Sequence, residues 1–175
     1  MDNSLAIVYF SVLIVLLTGA AVAVLRQALK TRRIETRLAK IQKKVTKGEA
    51  TAKDYYELGS IFLDKKLYTQ SISNLQKSLK AKDLEGEENT ALVYNALGFA
   101  YAAQEQYDLA MRQYKEALKL QPNYVTAWNN LAFAYERKTL DAQALEAYEK
   151  VLELDPNNAI AKKRSESLRK RLPVA

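Results

Sequence analysis

Cysteine and histidine are both absent from the 175 residues, which removes thiol nucleophiles, disulfides, histidine general bases and zinc sites built on either side chain. An enzyme would have to rely on carboxylate, lysine, serine or tyrosine chemistry. The acid pairs on offer, Glu87 with Glu88 and Glu146 with Glu149, fall in stretches that read as connections or solvent-facing helix, where they are solvated charge and not an acid and base in tuned environments. The expectation is a non-enzymatic protein with no cofactor, no metal and no small-molecule substrate. The densest charge is basic. Arg26, Lys30, Arg32, Arg33, Arg37, Lys40, Lys43, Lys44 and Lys47 stand against only Glu35 and Glu49 in residues 26–50, so this block alone equals the formal net charge of +7 carried by the whole chain. Of these, Arg26, Lys30, Arg32, Arg33 and Arg37 are candidates for a membrane-surface role, through topology control and attraction to anionic headgroups worth about 1 kcal/mol per residue. Nucleic acid is disfavoured, because the block lacks interleaved aromatic side chains.

The element that must position this block precedes it. Residues 5–25 contain no charged side chain, and 13 of the 21 are Leu, Ile, Val or Phe. As a helix the segment reaches about 31 Å, close to the roughly 30 Å of bilayer hydrocarbon. A cleaved signal peptide is the rival, with Ala21-Val22-Ala23 as its site, but residues 1–4 carry no Lys or Arg and the apolar run is too long. The positive-inside rule then translocates the short N-terminus, residues 1–4, and keeps the rest of the chain in the cytoplasm or its organellar equivalent. Ile34, Leu38, Ile41 and Val45 step by 4, 3 and 4, which predicts an amphipathic stem helix stopping near Gly48.

The remaining chain repeats. Tyr94, Leu97, Gly98, Tyr101, Ala110, Tyr114, Ala117 and Pro122 align with Trp128, Leu131, Ala132, Tyr135, Ala144, Tyr148, Val151 and Pro156 at a constant offset of 34 residues. That is the period of the tetratricopeptide repeat, a helix hairpin that cannot cover its own apolar face and must stack. An earlier copy at Tyr55, Leu58, Gly59, Phe62, Ser71, Leu75 and Ser78 precedes the second by 39, the additional five residues falling in the acidic connection from Asp83 to Asn89. The predicted fold is all-α: a transmembrane helix, a basic stem, a solenoid of three hairpins over 52–85, 91–124 and 125–158, and a polar capping helix at 159–172 with Ile160 and Leu168 turned inward. Residues 51–161 hold 12 basic and 16 acidic side chains, so the repeat body is acidic, which counts against nucleic-acid binding there.

The resemblance to tetratricopeptide domains implies that the first helices of successive repeats line a concave groove. By position in the motif, one groove rank is Tyr56, Asn95 and Asn129, and the next is Ser60, Phe99 and Phe133. Amides can bond the backbone of an extended peptide while Phe99 and Phe133 cover its side chains; the alternative is that these residues serve only packing or solvation. Tyr55, Tyr94, Trp128, Tyr101, Tyr135, Tyr114 and Tyr148 occupy packing positions. Clamping of chaperone C-terminal carboxylates is disfavoured, because Tyr56, Ser60, Thr126 and Asn130 stand where that subclass needs its clamp residues.

The whole layout, one N-terminal span, the stem beginning Arg26-Gln27-Ala28-Leu29-Lys30-Thr31-Arg32-Arg33, and repeats opening at Tyr55-Tyr56-Glu57-Leu58-Gly59, resembles a family from cyanobacteria and algal plastids. Its members are thylakoid-anchored tetratricopeptide factors that assist photosystem I assembly or stability. The resemblance implies a single-pass membrane scaffold whose repeats face the cytoplasm or stroma and bind photosystem I subunits or assembly factors. Two other readings stay open at this point: a membrane-anchored receptor for targeting peptides, and a subunit that tethers or regulates an enzyme.

Overall fold

The computed structural model describes residues 3–172, whose regular elements are all α-helices. The N-terminal unit is one helix, α1, Asn3–Lys47. Residues 1 and 2 of the expected translocated segment lie outside the described residues. Span and stem are therefore not two helices: no Pro or Gly interrupts 20–47, so nothing in the backbone chemistry ends the helix before Gly48, which adopts a left-handed φ of 73°. Large apolar side chains from Ile7, 67% exposed, to Leu25 have no protein cover, and the helix is long and apolar enough to cross a membrane.

The second unit, 48–175, is a stack of three hairpins and a cap. The helices are α2 Ala52–Asp64, α3 Tyr68–Lys80, α4 Glu87–Ala103, α5 Tyr107–Leu120, α6 Val125–Arg137, α7 Asp141–Leu154 and α8 Ala159–Arg171. Each of α2, α4 and α6 packs on its hairpin partner, and α3, α5 and α7 each pack on the next helix in sequence. The small residues predicted to allow close approach do so. A Cβ built on Gly59 would lie 2.6 Å from Leu75, and one on Gly98 would lie 2.6 Å from Cε1 of the buried Tyr114. Ala132 takes this place in the third hairpin and is buried with Tyr148.

Three local devices set the geometry. Each hairpin turns through one left-handed residue, Lys66, Glu105 or Thr139, with φ of 59°, 60° and 56°. Backbone bonds from Leu67 to Phe62, Gln106 to Tyr101 and Leu140 to Tyr135 at 2.8–3.0 Å close each turn as a Schellman motif without glycine. The first repeat replaces two buried apolar positions by Ser71 and Ser78, whose hydroxyls donate to the Gly59 and Ala52 carbonyls at 2.8 Å, so the buried oxygens are satisfied. Thr51 and Asp54 form a reciprocal capping box at the start of α2, and Asp83, 31 residues on, accepts the Ala52 N–H with both oxygens at 3.0 and 3.1 Å. Asp83 stands where the later repeats have proline; its carboxylate is a second cap on α2.

Two expectations are corrected. Helix α4 begins at Glu87, not near residue 91: Gly86, with φ of 84°, turns the chain, and Glu87 and Glu88 are the acidic first turn that suits a helix N-terminus. In α8, Ile160 is 65% exposed; Ala161, Ser165 and Leu168, spaced by 4 and 3, form the buried edge instead. The cap is fastened by charge as well. Glu136, whose side chain is 10% exposed, accepts from the Tyr148 hydroxyl at 2.8 Å and pairs with Arg171 at 3.2 Å and Arg164 at 3.6 Å. Burial, then this hydrogen bond, pushes the Tyr148 phenol well above its usual range.

Candidate groove and stem sites

The groove side chains come from α2, α4 and α6, which lie next to one another through α4. Helical spacing places Asn95 and Phe99 four residues apart on α4, and Asn129 and Phe133 four apart on α6, so each helix presents an amide one turn below a phenyl ring. Phe99 is 50% exposed and Phe133 42% exposed. These rings are the large apolar side chains that the inner helices leave uncovered.

The two amides have different surroundings. The Asn95 side-chain amide donates to the Tyr124 hydroxyl at 3.3 Å, and its carbonyl accepts from Asn130 at 3.0 Å. Asn95 thus ties α4 to α6 and to the turn before it. The Asn129 Oδ1 is buried with no hydrogen-bond partner. A buried acceptor left unmet costs about 1–3 kcal/mol. Tyr56, half-buried on α2, comes close to Tyr124: burial chiefly, then the neighbouring Tyr56, raise the Tyr124 phenol while the Asn95 hydrogen bond opposes them. Tyr124 is the residue that motif position did not select, and Asn130 entered there only as a clamp position. The signal for Tyr124 was its place directly before α6, beside the groove entrance. Ser60 spends its hydroxyl on the Tyr56 carbonyl at 2.9 Å.

Tyr56 also lines a cleft of about 440 Å³ between the starts of α2 and α4. Its walls are Lys53, Asn89, Leu92 and Val93 on the helices, with Leu84 and Glu85 from the connection after the first repeat. The lengthened connection thus contributes Leu84 and Glu85 to this cleft. Among the described residues no cluster of three or more His, Cys, Asp or Glu is placed to hold a metal.

The stem cations Arg26, Lys30, Arg32, Arg33 and Arg37 are all exposed on α1. With the one uninterrupted helix in hand, a pattern is visible that net charge conceals: Arg26, Lys30, Arg33, Arg37, Lys40, Lys44 and Lys47 step by 4, 3, 4, 3, 4 and 3. At about 3.6 residues per turn these seven fall in one stripe.

Comparison with known proteins agrees with this architecture. The chain matches the tetratricopeptide-repeat family over residues 53–83, 98–138 and 125–158. It is 40% identical to the protein named ycf37 of Guillardia theta over 125 residues, 71% of this chain and 70% of that one. It is 38% identical over 125 residues to the chloroplastic tetratricopeptide repeat domain-containing protein PYG7 of Arabidopsis thaliana, covering 71% of this chain and 41% of that protein. Among solved structures, the first tetratricopeptide domain of RPAP3 bound to an HSP90 peptide superimposes with a TM-score of 0.63 at 21% identity, over 69% of this chain and 92% of that one. At that identity the likeness is one of fold.

Proposed function

Because the chain belongs to the ycf37 family of tetratricopeptide-repeat proteins, we propose that it is a single-pass thylakoid scaffold, non-enzymatic, that holds a photosystem I subunit or assembly partner at the cytoplasmic or stromal membrane face. The observation that carries the binding part is the groove itself: two exposed phenyl rings in register, Phe99 and Phe133, beside the buried, unmet Oδ1 of Asn129. An extended segment supplies what this surface lacks. Its side chains cover the rings, its backbone runs past the part-buried Asn129 side chain, and its approach is bordered by Tyr56 and the cleft behind it. Asn95 acts by holding α4 and α6 at the right separation.

The anchoring part rests on the apolar half of α1, which has no protein cover and needs lipid in its place. The basic residues from Arg26 to Arg37 follow it immediately and favour the orientation with the repeats on the cytoplasmic or stromal side, where they meet anionic headgroups. The photosystem I part rests on the sequence resemblance set out above and on the chloroplastic relative.

Asn129→Ala combined with Phe99→Ser tests the reading, since Phe99 is exposed and neither change removes a hydrogen bond the fold uses. Loss of one neutral hydrogen bond alone weakens binding roughly 2- to 10-fold, and loss of the ring adds to it. Cells with the double variant should accumulate less photosystem I while the protein stays abundant and membrane-bound. Normal photosystem I levels, with photosystem I proteins recovered undiminished by affinity purification in mild detergent, would refute the groove as the binding surface.

A further inference from the structure

The cleft beside Tyr56 is built from what distinguishes the first repeat. The connection from α3 to α4 runs over six residues, 81–86, whereas those from α5 to α6 and from α7 to α8 run over four, 121–124 and 155–158. Helix α4 also starts one turn early for the 34-residue motif: Ala91 is the counterpart of Val125, where α6 begins, so Glu87 to Thr90 are an added turn. That turn is tied down. The Asn89 side-chain amide donates to the Glu85 carbonyl at 2.8 Å, and the Thr90 hydroxyl donates to the Gly86 carbonyl at 3.0 Å. The walls of the cleft are in place before any ligand arrives, which lowers the ordering cost of filling it.

The lining is apolar along its sides and negative on balance. Leu84, Leu92 and Val93 supply the apolar surface, and two carboxylates, Asp83 and Glu85, stand against one ammonium, Lys53. The Ala52 N–H holds the Asp83 carboxylate in position, and since a carboxylate has about four acceptor sites it keeps capacity for the donors of a ligand. The cleft lies between two helix N-termini, which carry about half a positive charge each and by themselves favour an anion. Both are already answered. Helix α2 has its capping box with Asp54, besides Asp83, and α4 has Glu87 and Glu88 in its first turn. What is left for a ligand is negative, with hydrocarbon walls and the Tyr56 ring beside it, surroundings that suit a cationic head on an apolar stem.

The cleft also opens onto the groove at a fixed step. Leu92, Asn95 and Phe99 are spaced by 3 and 4 and so share one stripe of α4. At about 1.5 Å per residue, Leu92 lies about 10 Å from Phe99 along the helix, a distance that an extended chain covers in about three residues. We propose that this cleft takes a Lys or Arg side chain of the segment that binds the groove, about three residues from the side chain that covers Phe99. The inference rests on the groove reading given above and sharpens it. The client is selected by one cation at a set distance from an apolar contact, and an acidic segment is turned away.

The test is a selection from a library of random peptides displayed on phage, run on the full chain in phosphatidylcholine nanodiscs and, in parallel, on Phe99→Ser and on Glu85→Lys. Glu85 bonds Asn89 through its backbone carbonyl, so reversing its side-chain charge leaves that wall standing. Sequences enriched on the natural chain and lost on Phe99→Ser are groove ligands. These should carry Lys or Arg about three residues from an aliphatic or aromatic residue, although the net charge of +7 on the whole chain draws acidic peptides non-specifically. On Glu85→Lys the basic preference at that position should disappear while the apolar preference stays. In one selected peptide, exchanging the basic residue for Gln should weaken binding to the natural chain about 2- to 20-fold, the range for one or two partly exposed ion pairs. The same exchange should leave binding to Glu85→Lys unchanged or tighter. Groove ligands without a basic preference, or a basic preference that survives Glu85→Lys, overturn the inference while the groove reading stands. A selection that yields no sequences dependent on Phe99 would sink the groove reading, and this inference with it.

Discussion

Gly98→Ala isolates the closest helix contact in the repeat stack, and its sign is decided by two opposed effects. Alanine in place of glycine in a helix interior ordinarily stabilises by about 1 kcal/mol, through the backbone freedom the glycine loses on folding. At position 98 the new Cβ would stand 2.6 Å from Cε1, 2.7 Å from Cδ1 and 3.1 Å from Cζ of Tyr114. Those are well inside ordinary carbon contact, so the ring must move by about 1 Å to reach the normal separation of roughly 3.5–4.0 Å. Tyr114 cannot move freely. It is buried among Ala91, Ala110, Ala117 and Leu131, it is a flat ring with few rotamers whose face meets Gly98, and burial pushes its phenol well above its ordinary range. Overpacking of this kind costs about 1–3 kcal/mol, which offsets or exceeds the propensity gain; the net expectation is no stabilisation, and a loss of up to about 2 kcal/mol. Gly98→Leu, with three further carbons, should sit at or beyond the upper end of that range. Urea unfolding of a chain beginning at Gly48 measures both. The decisive control is Tyr114→Leu, which removes the ring: in that background Gly98→Ala should lose most of its penalty, a coupling of about 1 kcal/mol or more. A Gly98→Ala protein more stable than the natural chain by the full propensity gain would refute the close-packing argument and the repeat alignment on which it stands.

Other outcomes follow from the same contacts. Thr139→Gly should stabilise the repeat unit by several tenths of a kcal/mol to about 1 kcal/mol in urea unfolding, because a β-branched residue holds a left-handed φ there at a cost of about 1–2 kcal/mol and glycine gives part of that back in chain entropy. Glu136→Gln should loosen α8, with hydrogen exchange of its amides accelerating before that of α6, since the substitution removes the carboxylate that Arg164 and Arg171 share and weakens the bond to Tyr148. Asp83→Asn should cost about 0.5–2 kcal/mol through the N-terminus of α2, a cap-sized effect, while the same change at the exposed Glu85 should cost almost nothing. Protease added to thylakoid vesicles with the cytoplasmic face outward should digest the repeats; protected repeats would overturn the orientation proposed for the anchor.

The legibility of this chain varied with how each feature is encoded. The repeat hairpins were readable because one period of 34 residues recurs in sequence with the same residue types, and the structure places Gly59 against Leu75 and Gly98 against Tyr114 as that period requires. Element starts were less readable where two chemistries compete. Glu87 and Glu88 read as part of an acidic loop because they follow Gly86, yet they are the favourable first turn of α4. Ile160 was misplaced for a related reason: an apolar side chain next to a helix start suggests the core, but the buried edge is fixed by Leu168, and counting back by 3 and 4 reaches Ser165 and Ala161, not Ile160. Small residues carry that edge, and they give little hydropathy signal.

The groove shows a limit of a different kind. Motif position identified Tyr56, Asn95, Phe99, Asn129 and Phe133 as one surface, but residue type cannot say which amide is already spent. Asn95 and Asn129 look alike in sequence; only the spatial neighbours Tyr124 and Asn130 show that the first is bound within the fold while the oxygen of the second is buried and unmet. That asymmetry gives the groove a division of labour. On the proposed reading, the amide bonded on both sides fixes the spacing between α4 and α6, so less ordering remains to be done when a segment binds over Phe99 and Phe133. Asn95→Ala should therefore weaken a groove ligand by loosening the helix pair, with faster hydrogen exchange across α4 and α6 in the free protein. Asn129→Ala should weaken the same ligand with exchange unchanged. Identical exchange behaviour in the two variants would mean that the Asn95 bonds to Tyr124 and Asn130 do not set the geometry of the groove.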